Sequence, residues 1–201
     1  MKIRLHIVSI VAIIVVLALP ALVLAGTWDI DPAHSEVGFK VRHMMVTNVR
    51  GNFSDFKGTL ELDETDITRS TVDVTIQAAS IYTGVEKRDE HLRSPDFFDA
   101  AKFPALTFKS KRFTKISDSS FQIIGDLSIH GVSREVVLEA EGLDQQARDP
   151  YGNTITGASA TTKLNRKDYG LNWNKALETG GFLVGDEITI LLEVEFKKRA
   201  E

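Results

Sequence analysis

The amino-acid sequence predicts an all-β domain, a sandwich or barrel of eight or more short antiparallel strands. Apolar and polar residues alternate with period two in many segments, which places the apolar side chains on one face of each strand. Residues that favour turns, at 118–120, 149–153 and 180–181, separate the alternating runs. No repeat or linker divides the chain, so these strands belong to one domain.

The alternation is clearest in residues 187–196, where five apolar residues at even-numbered positions oppose Glu187, Thr189, Glu193 and Glu195. This pattern is typical of an antiparallel strand with one face in the core and the other in water. Further strands with the same period are predicted over 35–41, 59–63, 72–76, 106–111, 121–123, 127–129, 134–140 and 158–164.

Residues 86–99 break the period and predict a short excursion of one or two helices. Thr83 and Glu86 have the spacing of a capping box, in which each side chain bonds a free amide at the helix start. Ser94 and Pro95 give a second start signal, because proline is favoured in the first turn of a helix. Pro104 ends the excursion.

The first 25 residues predict a secretory signal peptide that is cleaved after Ala25. Lys2 and Arg4 form a basic start, a long apolar stretch follows, and Pro20 precedes the small residue at the cleavage site. The alternative is an uncleaved membrane anchor, since the apolar stretch is nearly long enough to span a bilayer. We therefore expect an exported barrel domain over residues 26–201.

The composition excludes several classes of protein and site. The chain has no Cys, which excludes disulfides, Cys-ligated metal centres and Cys nucleophiles. It has 24 Lys and Arg against 28 Asp and Glu, an acidic balance that argues against a nucleic-acid-binding protein. The His residues lack zinc-ligand spacing, and neither a nucleophile elbow nor a phosphate-binding loop is present. We assign no catalytic residue, no metal site and no cofactor.

The 11 Phe residues and the small residues of 157–162 raise the prospect of a channel inside the barrel. An eight-stranded barrel is near the size at which its interior is either filled or holds one small ligand. Phe97 and Phe98 lie in the helical excursion, where they are placed to close the mouth of such a barrel. The same residues also fit an ordinary filled core, so the pattern alone leaves both alternatives open.

The charge run of residues 86–93 also has two interpretations. It forms either a solvated helix face with weak ion pairs or a set of contacts to the polar head of a ligand.

Several motifs, in one order and over nearly all of the chain after residue 25, resemble those of the YceI-like family of polyisoprenoid-binding periplasmic proteins. Long motifs in a fixed order are far more specific than any single short pattern. They are WDIDPAHS (28–35), FKVRH (39–43), GNFSDFKG (51–58), RDEHLRSPDFF (88–98), FP (103–104), GDLSIHGV (125–132) and RKDYG (166–170).

The resemblance implies a lipocalin-like barrel of eight antiparallel strands with a helical excursion around residues 86–99 and a long apolar channel. It implies periplasmic binding, storage or transport of a polyisoprenoid lipid: an isoprenoid quinone, its precursor or a prenyl phosphate. No catalysis is implied, and the bound lipid is the expected ligand. We expect a monomer or homodimer that makes transient contact with a membrane.

Residues inside these motifs and on the inward faces of the predicted strands are candidates for ligand contact. We expect the apolar channel to be lined by Phe39, Val41, Phe53, Phe56, Leu60, Phe97, Phe98, Phe103, Phe108, Leu127 and Ala160. Candidates for contact with a head group are Arg88, His91, Arg93 and Arg166.

Two alternative functions remain open at this point. One is a stress-related periplasmic interaction protein whose cavity is incidental. The other is an enzyme acting on an apolar substrate, with Asp89, His91 or His130 as acid or base.

Overall fold

Eleven β-strands and one α-helix make up most of the regular structure in this computed structural model. It describes residues 26–178 and 180–200, so the predicted signal peptide (1–25) lies outside the described residues. No helix within those ranges is long and apolar enough to cross a membrane. The elements are β1 (Gly26–Ile30), β2 (Glu36–His43), β3 (Thr47–Phe53), β4 (Phe56–Leu62), β5 (Thr71–Gln77), β6 (Ile81–Tyr82), α1 (Glu86–Arg93), β7 (Ala105–Lys115), β8 (Ser120–Ile129), β9 (Val132–Arg148), β10 (Thr154–Asn165) and β11 (Val184–Lys198).

Eight strands close into an antiparallel barrel in the order β1, β4, β5, β7, β8, β9, β10 and β11, and β11 pairs back to β1. The other three lengthen the wall at one end, where β2 pairs with β11, β3 with β2, and β6 with β3. At three places around the barrel, two short strands therefore lie end to end where one long strand would otherwise run. These pairs are β1 with β2, β4 with β3, and β5 with β6. The predicted eight-stranded antiparallel barrel is confirmed.

The joint between β1 and β2 lies where β11 changes partner. Pro32 interrupts the strand because it has no N–H for the ladder, and the chain makes a short 3-10 turn, Pro32–His34. At the turn the Asp31 amide donates to the Glu195 carbonyl, and the Glu195 amide donates to the side-chain oxygen Ser35 Oγ, each at 2.9 Å. A single strand, β11, therefore holds both pieces in line and closes the barrel.

One end of the barrel, called the mouth end below, carries the β2–β3 turn, the segment 83–104, the β8–β9 turn and the segment 166–183. Within the described residues, β6 pairs with β3 and not with β7, so the wall has a seam at this end. Helix α1 packs on β6, and residues 94–104 then lead the chain to β7.

Helix α1 begins at Glu86, but the predicted capping box is wrong. Its N-cap is Val85, which makes no side-chain cap hydrogen bond. The buried Asp89 carboxylate instead accepts hydrogen bonds from the Thr83 hydroxyl and from the Thr83 backbone N–H, the latter at 2.9 Å. After Ser94 the chain turns instead of starting a second helix.

Glycine is required inside the barrel where an aromatic ring crosses to the next strand. Phe108 on β7 points inward, and its ring lies over Gly125 on β8. A Cβ atom added at Gly125 would lie 2.6 Å from Phe108 Cζ and 2.5 Å from the Lys109 carbonyl oxygen. Real Cβ atoms do not approach other atoms so closely, so a side chain here displaces the ring.

We expect Gly125→Ala to lower the free energy of unfolding by about 1–3 kcal/mol, because the added methyl overpacks the site. Urea unfolding measures this change. Gly157→Ala is the matched control, since a Cβ there would have its nearest neighbour, the Val194 carbonyl oxygen, at 3.5 Å. The control should change stability by less than about 0.5 kcal/mol; equal losses in both variants would contradict the packing argument.

Candidate ligand-binding cavity

The barrel encloses a cavity of about 220 Å³, counted as the space open to the centres of water molecules. One water molecule needs roughly 10–15 Å³ on this measure, so the cavity is much larger than a packing defect. Among the described residues, those that line it are apolar or glycine, except Arg166. Protein interiors rarely keep such voids, because their walls lose dispersion contacts. The cavity is therefore a candidate site for an apolar ligand.

The cavity is long in the direction of the strands. On β8 its lining runs from Phe121, at the far end of the barrel, to Ile129, beside the mouth. The eight steps from residue 121 to residue 129 span about 27 Å at about 3.4 Å per residue. On β11 the lining continues from Ile188 to Phe196. This shape suits an extended chain better than a compact molecule.

Nine of the 11 residues predicted to line an apolar channel border this cavity. Phe56 is buried in the core without bordering it, and Phe103 packs instead on the β8–β9 turn, with its ring centroid 4.5 Å from that of His130. Contact of the nine with a ligand stays a prediction. They are Phe39, Val41, Phe53, Leu60, Phe97, Phe98, Phe108, Leu127 and Ala160.

Eight of the 11 Phe side chains border the cavity, so much of its wall is aromatic. Phe113 and Phe121, which the sequence did not single out for ligand contact, stack with centroids 5.8 Å apart near the far end. Of the small residues in 157–162, Ala158 and Ala160 border the cavity, whereas Gly157 is exposed.

An aromatic cluster covers the mouth end. The ring of Phe97 lies 5.2 Å from that of Trp173, which comes from the segment 166–183 on the other side of the mouth. His91 packs edge-on against both rings, at 5.1 Å and 4.8 Å, and its Nε2 lies 2.8 Å from Asp96 Oδ2. Trp173 was not predicted from the sequence, since its segment has no periodic pattern. A single Trp in such a segment could still have indicated an aromatic contact. His91 thus joins the two segments without lining the cavity.

Arg166 is the one charged residue bordering the cavity among the described residues, and it is 3% exposed. Its guanidinium donates to the carbonyl oxygens of Gly185 and Trp173, each at 2.9 Å, and of Leu171. One further N–H points to Asp186 Oδ1 at 3.3 Å. Burial lowers the pKa of Arg166 from its ordinary value. The side chain places a positive charge in the wall and ties the segment 166–173 to β11.

Arg88 and Arg93, which the sequence also proposed for a head group, lie away from the cavity. Arg88 donates to a threonine hydroxyl in the loop before α1 at 2.7 Å. Arg93 donates to the carbonyl oxygens of Ala79 and Ile81 at 2.7 Å and 3.0 Å. The two Arg93 bonds fix the end of α1 to the corner between β5 and β6, a role that local sequence patterns do not reveal.

Asp31, His34 and Glu195 are the described groups that come nearest to a metal-ligand cluster, with one ligand atom from each within 4.8 Å of the others. Lys197 Nζ lies 2.7 Å from Asp31 Oδ2, so an ammonium group already neutralises this carboxylate. Hydrogen bonds from Lys197 and His34 lower the pKa of Asp31 to about 2. The cluster is best explained as an ion pair that stabilises the joint between β1 and β2.

A family profile described as the YceI-like domain matches residues 28–196, nearly the whole barrel. The chain belongs to the YceI-like family. A UPF0312 protein of Staphylococcus aureus (strain N315) is 37% identical over 168 residues, which cover 83% of this chain and 94% of that protein. The family resemblance carried by the sequence motifs is therefore confirmed.

Two solved structures show how this YceI-like fold compares with others. The YceI protein of Campylobacter jejuni is 35% identical, with a TM-score of 0.68 over 85% of this chain and 96% of that one. A polyisoprenoid-binding domain from Saccharophagus degradans is 14% identical, with a TM-score of 0.61 over 88% of this chain and 99% of that domain. At that identity the second likeness establishes the fold alone.

Replacing Arg93 with Gln should loosen α1 without changing the cavity lining, because the two hydrogen bonds to Ala79 and Ile81 are lost. We expect the free energy of unfolding to fall by about 1–3 kcal/mol. Amide hydrogen exchange in residues 83–99 should become faster. Lys87→Gln, on the exposed face of the same helix, is the control and should change neither quantity; indistinguishable variants would argue against this role for Arg93.

Proposed function

We propose that this YceI-like protein binds a polyisoprenoid lipid inside its barrel and stores or carries it in the periplasm. The observation that carries the proposal is the cavity, which is long, apolar and bordered by eight Phe side chains, with Arg166 as the one charged residue that the described part of the chain contributes to its wall. A polyisoprenoid tail has no hydrogen-bonding groups, so an apolar wall can enclose it without leaving a polar group of the tail unpaired.

The energetics of the tail favour such a site. Each methylene group transferred from water to an apolar wall contributes about 0.8 kcal/mol. A chain of repeated isoprene units can lie in the cavity in more than one register, because each unit presents the same surface. Binding of this kind selects for an elongated apolar shape and sets little requirement on chain length.

The polar head is expected at the mouth end, beside Arg166. This side chain is the only charged group of the described residues on the cavity wall, and most of its donors are occupied by backbone carbonyls. A quinone ring, a quinone precursor and a prenyl phosphate share the tail chemistry and differ only in this head. An anionic head gains more from the Arg166 charge than a neutral one does.

Support for the ligand class comes from the shared fold of the Saccharophagus degradans domain, which is described as polyisoprenoid-binding. The family resemblance identified in the motifs points in the same direction. Binding without turnover also fits the placement of the acid–base candidates Asp89, His91 and His130, none of which borders the cavity.

Organic extraction of the purified protein, followed by mass spectrometry, should release an isoprenoid lipid. Ala160→Phe is expected to lower the amount bound at least about tenfold, because Ala160 borders the cavity and the new ring obstructs it. Thr161→Phe places the same ring at an exposed position on the same strand and should leave the lipid in place. A wild-type protein that repeatedly carries no isoprenoid and has no affinity for farnesol would reject the proposal.

Periplasmic residence rests on the signal peptide that residues 1–25 predict. When the full chain is expressed in a bacterium with two membranes, the osmotic-shock fraction should contain a protein whose mass corresponds to a start at Gly26. Lys2→Glu with Arg4→Glu should reduce export, since the basic start of the signal is lost. Recovery of the uncut chain in the membrane fraction would favour the anchor instead.

A further inference from the structure

The mouth end carries large apolar side chains that the fold leaves in water. Six of the nine such side chains exposed among the described residues lie at this end. Four of them form the tip patch: Met44 (44% exposed), Met45 (64%), Val46 (76%) and Phe182 (56%). The Met44 amide donates to the Leu183 carbonyl at 2.8 Å, and Met45 Sδ packs on Gly181, so the two segments present one surface.

The turn that exposes the tip patch has a strained backbone conformation. Met44 and Met45 both have positive φ, 48° and 61°, at the two central positions of the turn that closes when the Val46 amide bonds the His43 carbonyl at 3.1 Å. Such a turn favours Asn followed by Gly, because other side chains are strained there. The chain thus keeps two exposed Met side chains where a polar pair would be more stable.

The outer face of the β2–β3 hairpin, just behind the tip, is basic. Lys40 and Arg50 face each other in register, where like charges repel, and Arg42 follows on the same face. Arg42 donates to the Met45 carbonyl at 2.9 Å, which holds a guanidinium beside the tip. Within the described ranges none of these three cations pairs with a carboxylate.

We propose that the tip patch inserts into the headgroup region of a bilayer that contains anionic lipid, while Lys40, Arg42 and Arg50 contact its phosphate groups. An apolar edge flanked by cations is the chemistry of an interfacial anchor. The chain as a whole carries a net charge of −4, so it is attracted to an anionic surface only through this local basic face. The position of the basic face then sets the orientation of the docked protein. Docking turns the mouth toward the membrane, and this inference rests on the proposed lipid-binding function.

Vesicle flotation tests the docking, using phosphatidylcholine vesicles with and without phosphatidylglycerol. The chain from Gly26 onward is suitable, because the barrel closes within residues 26–198 and the preceding apolar segment would itself enter lipid. We expect Met45→Ser with Val46→Ser to lower the partition coefficient at least about tenfold. Ile116→Ser with Tyr151→Ser removes exposed apolar side chains (61% and 89%) at the other end and should have no effect.

The charge contribution is tested with Lys40→Gln and Arg50→Gln, which leave the Arg42 bond to the turn in place. Each substitution should weaken binding to vesicles with phosphatidylglycerol about fivefold and leave binding to pure phosphatidylcholine unchanged. Added salt should reduce the difference between the two vesicle types. Equal binding of the wild type to both vesicle types would overturn the assignment of an anionic surface.

A variant with the favoured turn sequence separates docking from folding. Met44→Asn with Met45→Gly should raise the melting temperature, because both residues accept positive φ, and should still weaken vesicle binding at least about tenfold. Unchanged vesicle binding in this variant would reject the tip patch as the inserting element. A change in sedimentation from dimer to monomer, with vesicle binding unaltered, would show that the patch joins two copies of the chain instead.

Farnesol binding in vesicle-free buffer, followed through Trp fluorescence, keeps the two proposals apart. The tip variants should bind farnesol as the wild type does, since none of the tip residues borders the cavity. If the wild type binds farnesol but no vesicles, the docking proposal is rejected and the proposed lipid-binding function stands. Vesicle binding without any farnesol or co-purified isoprenoid would reject the proposed function and leave a membrane-docking barrel.

Discussion

The barrel depends on the register of β11. This strand of 15 residues pairs with β10 on one side and with β1 and β2 in turn on the other. A slip of one residue would turn Glu187, Glu193 and Glu195 toward the cavity, and burying those charges is far more costly than any gain in pairing. The apolar interior thus fixes the register, and the register in turn keeps the interior apolar. The ion pair between Asp31 and Lys197 further stabilises the point at which β11 changes its partner from β1 to β2.

At the mouth end, charged residues mainly organise the backbone. Arg93 and Arg166 each donate to two or more carbonyl groups in irregular segments or at the ends of strands. A buried carbonyl group without a hydrogen-bond donor lowers stability. These guanidinium groups supply donors that a neighbouring strand would otherwise provide, and so stabilise the irregular segments. Aromatic side chains, including Phe97 and Trp173, then fill the space between the segments. The opening is consequently surrounded by structure that side-chain contacts hold together.

Period-two alternation predicted most strands and the barrel, because every wall strand has one face in the apolar interior. It missed β1, which has only five residues, and β3, whose Gly and Asn residues weaken the pattern. It divided β8 at Gly125, which resembles a turn in sequence but accommodates the Phe108 ring. Most of the residues that the sequence named for the channel border the cavity, because inward position follows from parity, but many other lining residues were not named. The partners of Arg93 were not predicted, because those contacts depend on where the backbone carbonyls of Ala79 and Ile81 lie in space.

The seam beside β6 divides the protein into two parts of unequal cooperativity. Away from the mouth the strands form an uninterrupted hydrogen-bonded ring, whereas β6 contributes only two register pairs and has no partner on β7 among the described residues. Release of residues 83–104 therefore breaks few hydrogen bonds of the barrel wall, and we expect it to require less free energy than global unfolding. For the proposed lipid, we expect this sub-global opening to be the route of exchange. Substitutions along the seam should then change the residence time of that lipid more than they change the population of the folded protein.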